Sequence, residues 1–317
     1  MKQTETELNA AIAALPERDW LYENKPGVTV KPSEVVRGGL VVEGGGMKGV
    51  YTAGVMDVLA EERIFFSDNY GVSAGACNLV SHCAGQKGRA CRVFSNYLEY
   101  KDYCSLHSLV TTGDLFGKEM VYDRIPNRLD PFDYESYRAY PGNVYAVVTN
   151  LLTGKAEYKK IKDLRRDMDA LRASASLPLV SNIVYVDGLP YLDGGCSDSI
   201  PVIRSLRDGN KKTVVIMTKE VGYVRKPSSN VGLIRAKYHR YPGLVRDMAR
   251  RHVMYNKTVK FIEEHEKKGH IFVIRPQEKS NVGRIEKDQR KLRLLYEEGY
   301  EEARRVMPQL KEYLGLC

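Results

Sequence analysis

The chain has 317 residues, of which 43% are hydrophobic and 28% are charged, a balance typical of a globular protein and not of a disordered or fibrous one. Its formal net charge of +9 favours anionic partners such as acidic lipids, nucleic acid or acidic small molecules, with a plain solvated basic surface as the alternative. The six cysteines form no Cys-x-x-Cys pair, which argues against a zinc site and favours reduced thiols.

The first 37 residues are polar and interrupted by prolines. We expect them to form an N-terminal leader outside the hydrophobic core, with one short helix at residues 8–15. They lack the apolar stretch of a signal peptide, and no run of roughly 18 apolar residues occurs in the chain. The sequence therefore predicts a cytoplasmic protein, free or peripherally attached to a membrane.

Two strand–turn–helix units follow the leader. Residues 39–43 form a short apolar run that predicts a buried strand, three glycines interrupt it, and residues 47–62 have helical spacing. In the second unit a strand is predicted to end at Val72, Ser73 lies at the turn, and residues 74–84 predict a buried helix of small side chains.

The remainder of the chain continues to alternate between strands and helices. A helix is predicted at residues 90–98, and the aromatic, irregular segment 101–140 is expected to form a lid or one wall of a substrate cleft. Further strands are predicted at residues 143–150, 155–160, 183–186, 191–193, 212–218 and 271–274. Further helices are predicted at residues 163–173, 201–206 and 286–313, and the basic region 225–268 is also expected to be helical. The alternation predicts an α/β layered fold with a largely parallel sheet, in one domain over residues 38–317.

Ser73 is the candidate nucleophile. It lies in a Gly-x-Ser-x-Gly pentapeptide with Gly71 and Gly75, at a predicted strand-to-helix turn. Such a turn exposes the serine hydroxyl, and small residues two positions to either side prevent clashes. A matching pentapeptide is often only a turn, so the interpretation depends on the partners of the serine.

A glycine-rich loop is the candidate oxyanion hole. Free backbone N–H groups at the start of a helix bind anionic oxygen, and we expect Gly44, Gly45, Gly46 and Met47 to supply them. A nucleotide-phosphate loop is the alternative. The Gly-Lys-Ser/Thr of a P-loop is missing, however, and a dinucleotide motif would have its third glycine displaced to Gly49.

Asp193 is the candidate general base. It ends a predicted strand and precedes two glycines, so its carboxylate can project into a cleft, and an ordinary Asp-Gly turn is the alternative. A Ser–acid–His triad is a further alternative, because six histidines are present, at positions 82, 107, 239, 252, 265 and 270. No His-Gly-Gly loop precedes Ser73, and His82, about two turns beyond it on the predicted helix, is expected to pack in the interior.

Taken together, these motifs resemble those of the patatin-like phospholipase family. Residues 43–49 are similar to its oxyanion loop, residues 71–75 to its nucleophile elbow, residues 173–178 to the segment before its catalytic acid, and residues 193–195 to its acid motif. The resemblance covers the chain from about residue 39 to residue 201. Lys48 and Glu43 stand where many members have Arg and Asp, which leaves the local hydrogen bonding open.

The resemblance implies a three-layer α/β/α fold and a serine acyl-ester hydrolase acting on lipids, as a phospholipase A, lysophospholipase or esterase. It implies that Ser73 attacks the acyl carbonyl, that Asp193 accepts its proton without a histidine, and that glycine-loop amides hold the oxyanion. Water would release the fatty acid from an acyl-enzyme, and no metal or organic cofactor is implied. The alternative is a non-catalytic lipid- or nucleotide-binding protein that keeps the glycine loops.

A basic stretch lies between residues 225 and 260, where ten positive residues are opposed only by Asp247. Four tyrosines lie in or beside it: Tyr223, Tyr238, Tyr241 and Tyr255. The combination predicts a docking face for an anionic membrane, with a solvated helical face as the alternative. No recognised nucleic-acid module is present, so no nucleic-acid partner is expected.

Overall fold

A central sheet organises the computed structural model, which describes residues 4–316. Residues 1–3 of the expected leader, and Cys317 at the end of the expected domain, lie outside the described residues. The strands are β1 (Val35–Val42), β2 (Phe65–Val72), β3 (Asn143–Asn150), β4 (Ala156–Lys160), β5 (Val184–Val186), β6 (Leu189–Asp193), β7 (Thr213–Ile216) and β8 (Phe272–Ile274). Their order is β5-β6-β3-β2-β1-β7-β8, with β4 paired to β3.

The sheet is parallel where the predicted site lies. Strands β3, β2, β1, β7 and β8 run parallel to their neighbours, whereas β4 and β6 pair antiparallel to β3, and β5 pairs antiparallel to β6. Parallel strands joined by helical crossovers bring their carboxyl ends to one edge, where ligands of such sheets bind. The predicted α/β fold with a mainly parallel sheet is confirmed.

Helices cover both faces of this sheet. They are α1 (Glu5–Ala13), α2 (Gly49–Glu61), α3 (Ala74–Cys83), α4 (Arg89–Ser95), α5 (Leu106–Thr112), α6 (Tyr134–Arg138), α7 (Leu164–Ser174), α8 (Val202–Arg207), α9 (Val231–Lys237), α10 (Pro242–Lys267) and α11 (Gln289–Leu314). A π-helical turn, Met120–Leu129, lies between α5 and α6, so the segment expected to be irregular carries short helices. In residues 4–316, no helix has both the length and the apolar character that crossing a membrane requires.

The strands send alternate side chains into two hydrophobic clusters. In β1, Leu40 and Val42 join the larger cluster, which also contains residues of α2, α3 and α11. The intervening Val41 points to the other face and joins a cluster that includes Tyr255 and Ile262 of α10. Because successive side chains of a strand point to opposite faces, this burial on both sides establishes a three-layer architecture.

Part of the leader is built into the core, which corrects one expectation. Leu21 and Val30 are buried in the larger cluster. Arg18 forms an ion pair of 2.9 Å with Glu297 of α11 and lies over the ring of Tyr300. Leu21 and Val30 are among a few apolar residues scattered through a polar stretch, a pattern that does not distinguish a packed segment from a linker. The boundary at residue 38 stays a prediction.

Candidate active site

Ser73 lies at a strained turn between β2 and α3. Its backbone has φ 56° and ψ −126°, a conformation that residues other than glycine rarely adopt. Close packing explains the flanking glycines. A methyl group on Gly71 would lie 2.5 Å from Cα of Ala76, and one on Gly75 would lie 2.6 Å from the carbonyl oxygen of Val42. The pentapeptide therefore forms the sharp turn that its sequence predicts.

The glycine loop lies directly against this turn. A methyl group on Gly44 would lie 2.9 Å from Cβ of Ser73, so only glycine permits the approach. Gly44, Gly45 and Gly46 line the same cavity as Ser73. Within the described part of the chain their amides donate no hydrogen bond to protein, which leaves them available to an anionic oxygen.

Met47 differs from the other three predicted donors. Its N–H donates to the carbonyl oxygen of Arg284 at 3.0 Å, and its side chain is fully buried. The N–H of Met47 thus already donates to the loop before α11, unlike the amides of the three glycines, so its part in an oxyanion hole stays a prediction. The same bond fixes the backbone of Arg284 beside the glycine loop.

Strand register brings Asp193 next to Ser73. Val147 of β3 pairs with Val72, the residue before Ser73, and the next residue, Val148, pairs with Asp193. On one edge of β3, the pairing with β2 ends at Val147 and the pairing with β6 begins at Val148. Two strands that are far apart in the chain therefore deliver the nucleophile candidate and the base candidate to one point.

The environment of Asp193 suits a proton acceptor. Its Oδ1 accepts the N–H of Gly195 at 2.7 Å, whereas its Oδ2 accepts no hydrogen bond of ordinary geometry from any described residue. Burial raises the pKa of Asp193, and the nearby Ser73 hydroxyl and the charge of Arg251 oppose that rise. A carboxylate with a raised pKa and one unoccupied oxygen is a stronger base than an exposed aspartate.

The C-terminal end of α7 and the residues after it contact both candidates. The backbone N–H of Ser73 donates to Oγ of Ser174 at 3.0 Å. The backbone N–H of Asp193 donates to the carbonyl oxygen of Ser176 at 2.8 Å. The sequence shows this segment only as a run of small residues, and its positioning contacts were missed because they are made across the fold.

No histidine lines the cavity of Ser73 and Asp193 in the described residues. His82 stacks on Phe65 in the interior, where burial lowers its pKa to about 4, in agreement with the expected packing role. His252 lines an adjoining groove, to which Asp193 and Arg251 also contribute. Residues 4–316 contain no cluster of His, Cys, Asp or Glu arranged to hold a metal ion.

Ser73 separates two cavities of opposite character. One is largely apolar, and segment 101–140 forms a wall of it through Tyr103, Phe116, Val121, Tyr122, Ile125, Pro126 and Phe132. The other, which we call the cationic cavity, is lined by five positive residues: Lys48, Lys219, Arg225, Arg251 and Arg284. Sequence reasoning placed Arg225 and Arg251 on a basic outer face and did not single out Lys219 or Arg284. The inward direction of these side chains is set by tertiary packing.

Glu43 organises the floor of the cationic cavity. Its Oε2 accepts the N–H of Thr218 at 2.7 Å, and its Oε1 accepts the hydroxyl of Tyr255 at 2.7 Å. These bonds join the ends of β1 and β7 to α10. Glutamate at this position, where many family members have aspartate, is explained by these two bonds, because its longer side chain reaches both Thr218 and Tyr255.

A family model described as patatin-like phospholipase matches residues 40–204, more than half of the chain. The chain belongs to the patatin-like phospholipase family. The match contains the glycine loop, the Ser73 turn, segment 173–178 and Asp193, so the resemblance seen in the sequence is confirmed. Membership of this family indicates a lipid hydrolase, without specifying the substrate.

Two further comparisons extend beyond the patatin-like region. A second family model, a domain of unknown function (DUF6363), matches residues 241–315, which contain α10 and α11. A relative from Escherichia coli (strain K12), the uncharacterized protein YjjU, is 30% identical over 194 residues. That alignment covers 60% of this chain and 54% of YjjU, so the chain spans about half the length of the relative it matches.

Proposed function

We propose that this patatin-like chain is a serine acyl-ester hydrolase of lipids, of the phospholipase A, lysophospholipase or lipid esterase type. The observation that carries the proposal is the arrangement around Ser73. Its strained turn lies between the glycine loop and the carboxylate of Asp193. Among the described residues, the glycine N–H groups donate no hydrogen bond to protein, and Oδ2 of Asp193 accepts none. A nucleophile, a base and oxyanion donors are the three parts that ester cleavage by serine requires.

The proposed reaction proceeds through an acyl-enzyme. Oγ of Ser73 attacks the ester carbonyl as Asp193 takes its proton, and the amides of Gly44, Gly45 and Gly46 stabilise the oxyanion. The C–O bond to the alcohol breaks, and the alcohol leaves with the proton returned by Asp193. Water, deprotonated by the same carboxylate, then attacks the acyl-enzyme. Asp193 returns that proton to Oγ of Ser73 as the C–O bond to the serine breaks and the carboxylic acid is released.

The apolar cavity supports a lipid acyl group as the substrate. It begins at Ser73 and Ala74 and continues between α3, α4 and the wall formed by segment 101–140. Each methylene group moved from water into such a cavity contributes about 0.8 kcal/mol. A fatty acyl chain therefore gains binding energy here that an acetyl group does not.

The first experiment combines fluorophosphonate labelling with hydrolysis of p-nitrophenyl esters. We expect the wild-type chain to be labelled and to hydrolyse the esters, and Ser73→Ala to lose both. Ser199→Ala is the matched control, because Ser199 lines the same cavity but donates its hydroxyl to the carbonyl oxygen of Gly195. An unlabelled, inactive wild-type chain would support the alternative, a non-catalytic lipid- or nucleotide-binding protein.

Membrane contact through the basic region is a further part of the proposal. Tyr238 and Tyr255 are buried, so they do not serve as the interfacial tyrosines that the sequence analysis expected. Val224 and Ile285 are better candidates, since they are 67% and 48% exposed and border a groove that opens beside Asp193. Exposed apolar side chains among basic ones favour an anionic lipid surface.

Vesicle co-sedimentation tests this contact. Binding is expected to increase with anionic lipid content and to decrease with added salt. Val224→Asp is expected to weaken binding, and Val28→Asp, a change at an exposed valine outside the basic region, is the matched control. Binding that responds to neither salt nor lipid charge would rule out electrostatic docking.

A further inference from the structure

The lining of the cationic cavity contains more positive than negative charge. Five cations face two acids in its lining. Both carboxylate oxygens of Glu43 are occupied by Thr218 and Tyr255, and Oδ1 of Asp193 is occupied by Gly195. Among the described residues none of the five cations forms a salt bridge, although neighbouring Arg246 and Lys260 do. Uncompensated charge of one sign in a cleft attracts a ligand of the opposite sign.

The fold holds the side chains of Arg251 and Arg225 and the backbone of Arg284 in place. Arg251 of α10 donates through Nε to the carbonyl oxygen of Gly195, two residues beyond Asp193. Arg225 stacks on the ring of Tyr255 at 4.0 Å, and its buried Nε donates to no described group. The backbone of Arg284 accepts the N–H of Met47. Guanidinium groups positioned in this way suit phosphate or carboxylate recognition.

The two lysines of the cationic cavity, Lys48 and Lys219, also favour a bound anion. Burial, and then the charge of Lys48, lower the pKa of Lys219 to about 8. Burial also lowers the pKa of Lys48. A bound anion would offset the repulsion that Lys48 exerts on Lys219, because opposite charge favours the protonated form of an amine.

The position of the cationic cavity relative to Ser73 determines which part of an ester substrate it binds. The acyl group and the alcohol lie on opposite sides of an ester carbonyl, and Ser73 is the junction of the apolar and cationic cavities. With the acyl chain in the apolar cavity, the alcohol enters the cationic one. We infer that this site selects acyl esters whose alcohol carries a net negative charge, as a phosphate monoester does, over neutral or zwitterionic ones. The inference rests on the proposed esterase function.

The anion-binding side has a distinct origin in the chain. Arg251 and Arg284 lie within residues 241–315, which match the domain of unknown function, and Arg225 precedes that match. Ser73, Asp193 and the glycine loop lie within the patatin-like match. The second region thus contributes two of the five cations to a site whose reacting groups come from the first.

The test compares three esters with one acyl chain: monolauroyl glycerol, monolauroyl glycerol phosphate and monolauroyl glycerophosphocholine. We expect kcat/KM to be highest for the phosphate monoester. Arg225→Gln and Arg284→Gln are each expected to reduce the ratio of phosphate to neutral kcat/KM by about tenfold or more. Arg240→Gln removes an exposed cation of the same basic region outside the cavity and is expected to leave the ratio unchanged. Ser73-dependent hydrolysis without a preference for the anionic ester would overturn the inference and leave the proposed function intact.

A binding measurement separates the two failures. Calorimetric titration with glycerol phosphate, glycerol and inorganic phosphate needs no turnover. Glycerol phosphate is expected to bind more tightly than inorganic phosphate, glycerol is expected not to bind, and Arg225→Gln is expected to weaken the binding. No binding of either anion overturns the inference, and equal binding of both overturns its assignment to a headgroup. Anion binding in a chain that hydrolyses none of the esters would refute the esterase proposal, and with it ester selection, and would leave only anion binding by the cavity.

Discussion

Removing the hydroxyl of Ser174 is a sharp test of how the turn at Ser73 is held. In Ser174→Ala the buried N–H of Ser73 loses its acceptor, which is at 3.0 Å in the wild type. A buried donor left without a partner costs about 1–3 kcal/mol. If that support is needed in the transition state, kcat falls by about 5- to 150-fold. We expect KM to change little, because Ser174 contacts backbone and not substrate.

Ser176→Ala is the matched control for this change. Its hydroxyl donates to the carbonyl oxygen of Arg172, while its contact with Asp193 uses the backbone carbonyl, which the substitution keeps. Steady-state kinetics on p-nitrophenyl butyrate and urea unfolding measure catalysis and stability separately. A kcat for Ser174→Ala equal to that of the wild type, or an equal loss in both variants, would refute the reasoning.

Three further changes give independent tests. Gly44→Ala is expected to lower kcat by about 100-fold, because its methyl group would displace the loop from Ser73, whereas Gly232→Ala, which meets nothing within 4 Å, is the active control in the same assay. Val121→Trp should narrow the apolar cavity, so kcat/KM should fall more for a laurate ester than for a butyrate ester, and equal losses would argue against an acyl role. Burial raises the pKa of Asp57 from 3.8 to about 7, so its ionisation favours the unfolded chain and lowers stability as pH rises through that range, by about 4 kcal/mol in total. Urea unfolding of Asp57→Asn should lack this pH-dependent loss, and an unchanged pH profile would contradict it.

The elements around the site were predictable because local chemistry specifies them. Residues 39–43 form the continuous apolar run that a strand buried on both faces requires, and three glycines then end it. The turn at Ser73 was equally local, since Gly71 and Gly75 are spaced for close packing against neighbouring elements. A close approach of neighbouring backbone requires glycine, and this requirement is visible in the sequence.

The contacts between distant segments were not predictable in the same way. The pairing of Val148 with Asp193 depends on strand register, which no local pattern encodes. The N–H of Met47 was expected to be free, and only the folded loop places the carbonyl oxygen of Arg284 against it. Arg225 and Arg251 were visible as charges, but their inward direction depends on how the loop after β7 and helix α10 pack.

The central claim is that a carboxylate, with no histidine, serves as the base for Ser73. The most direct measurement is the turnover of a p-nitrophenyl ester by Asp193→Asn beside Asp198→Asn. Asp198 is a half-buried aspartate that accepts a hydrogen bond from the hydroxyl of Tyr158. Loss of a general base lowers the rate by about 100- to 10,000-fold, so we expect Asp193→Asn to be folded and nearly inactive, and Asp198→Asn to remain active. Near-normal turnover by a folded Asp193→Asn chain would contradict the account.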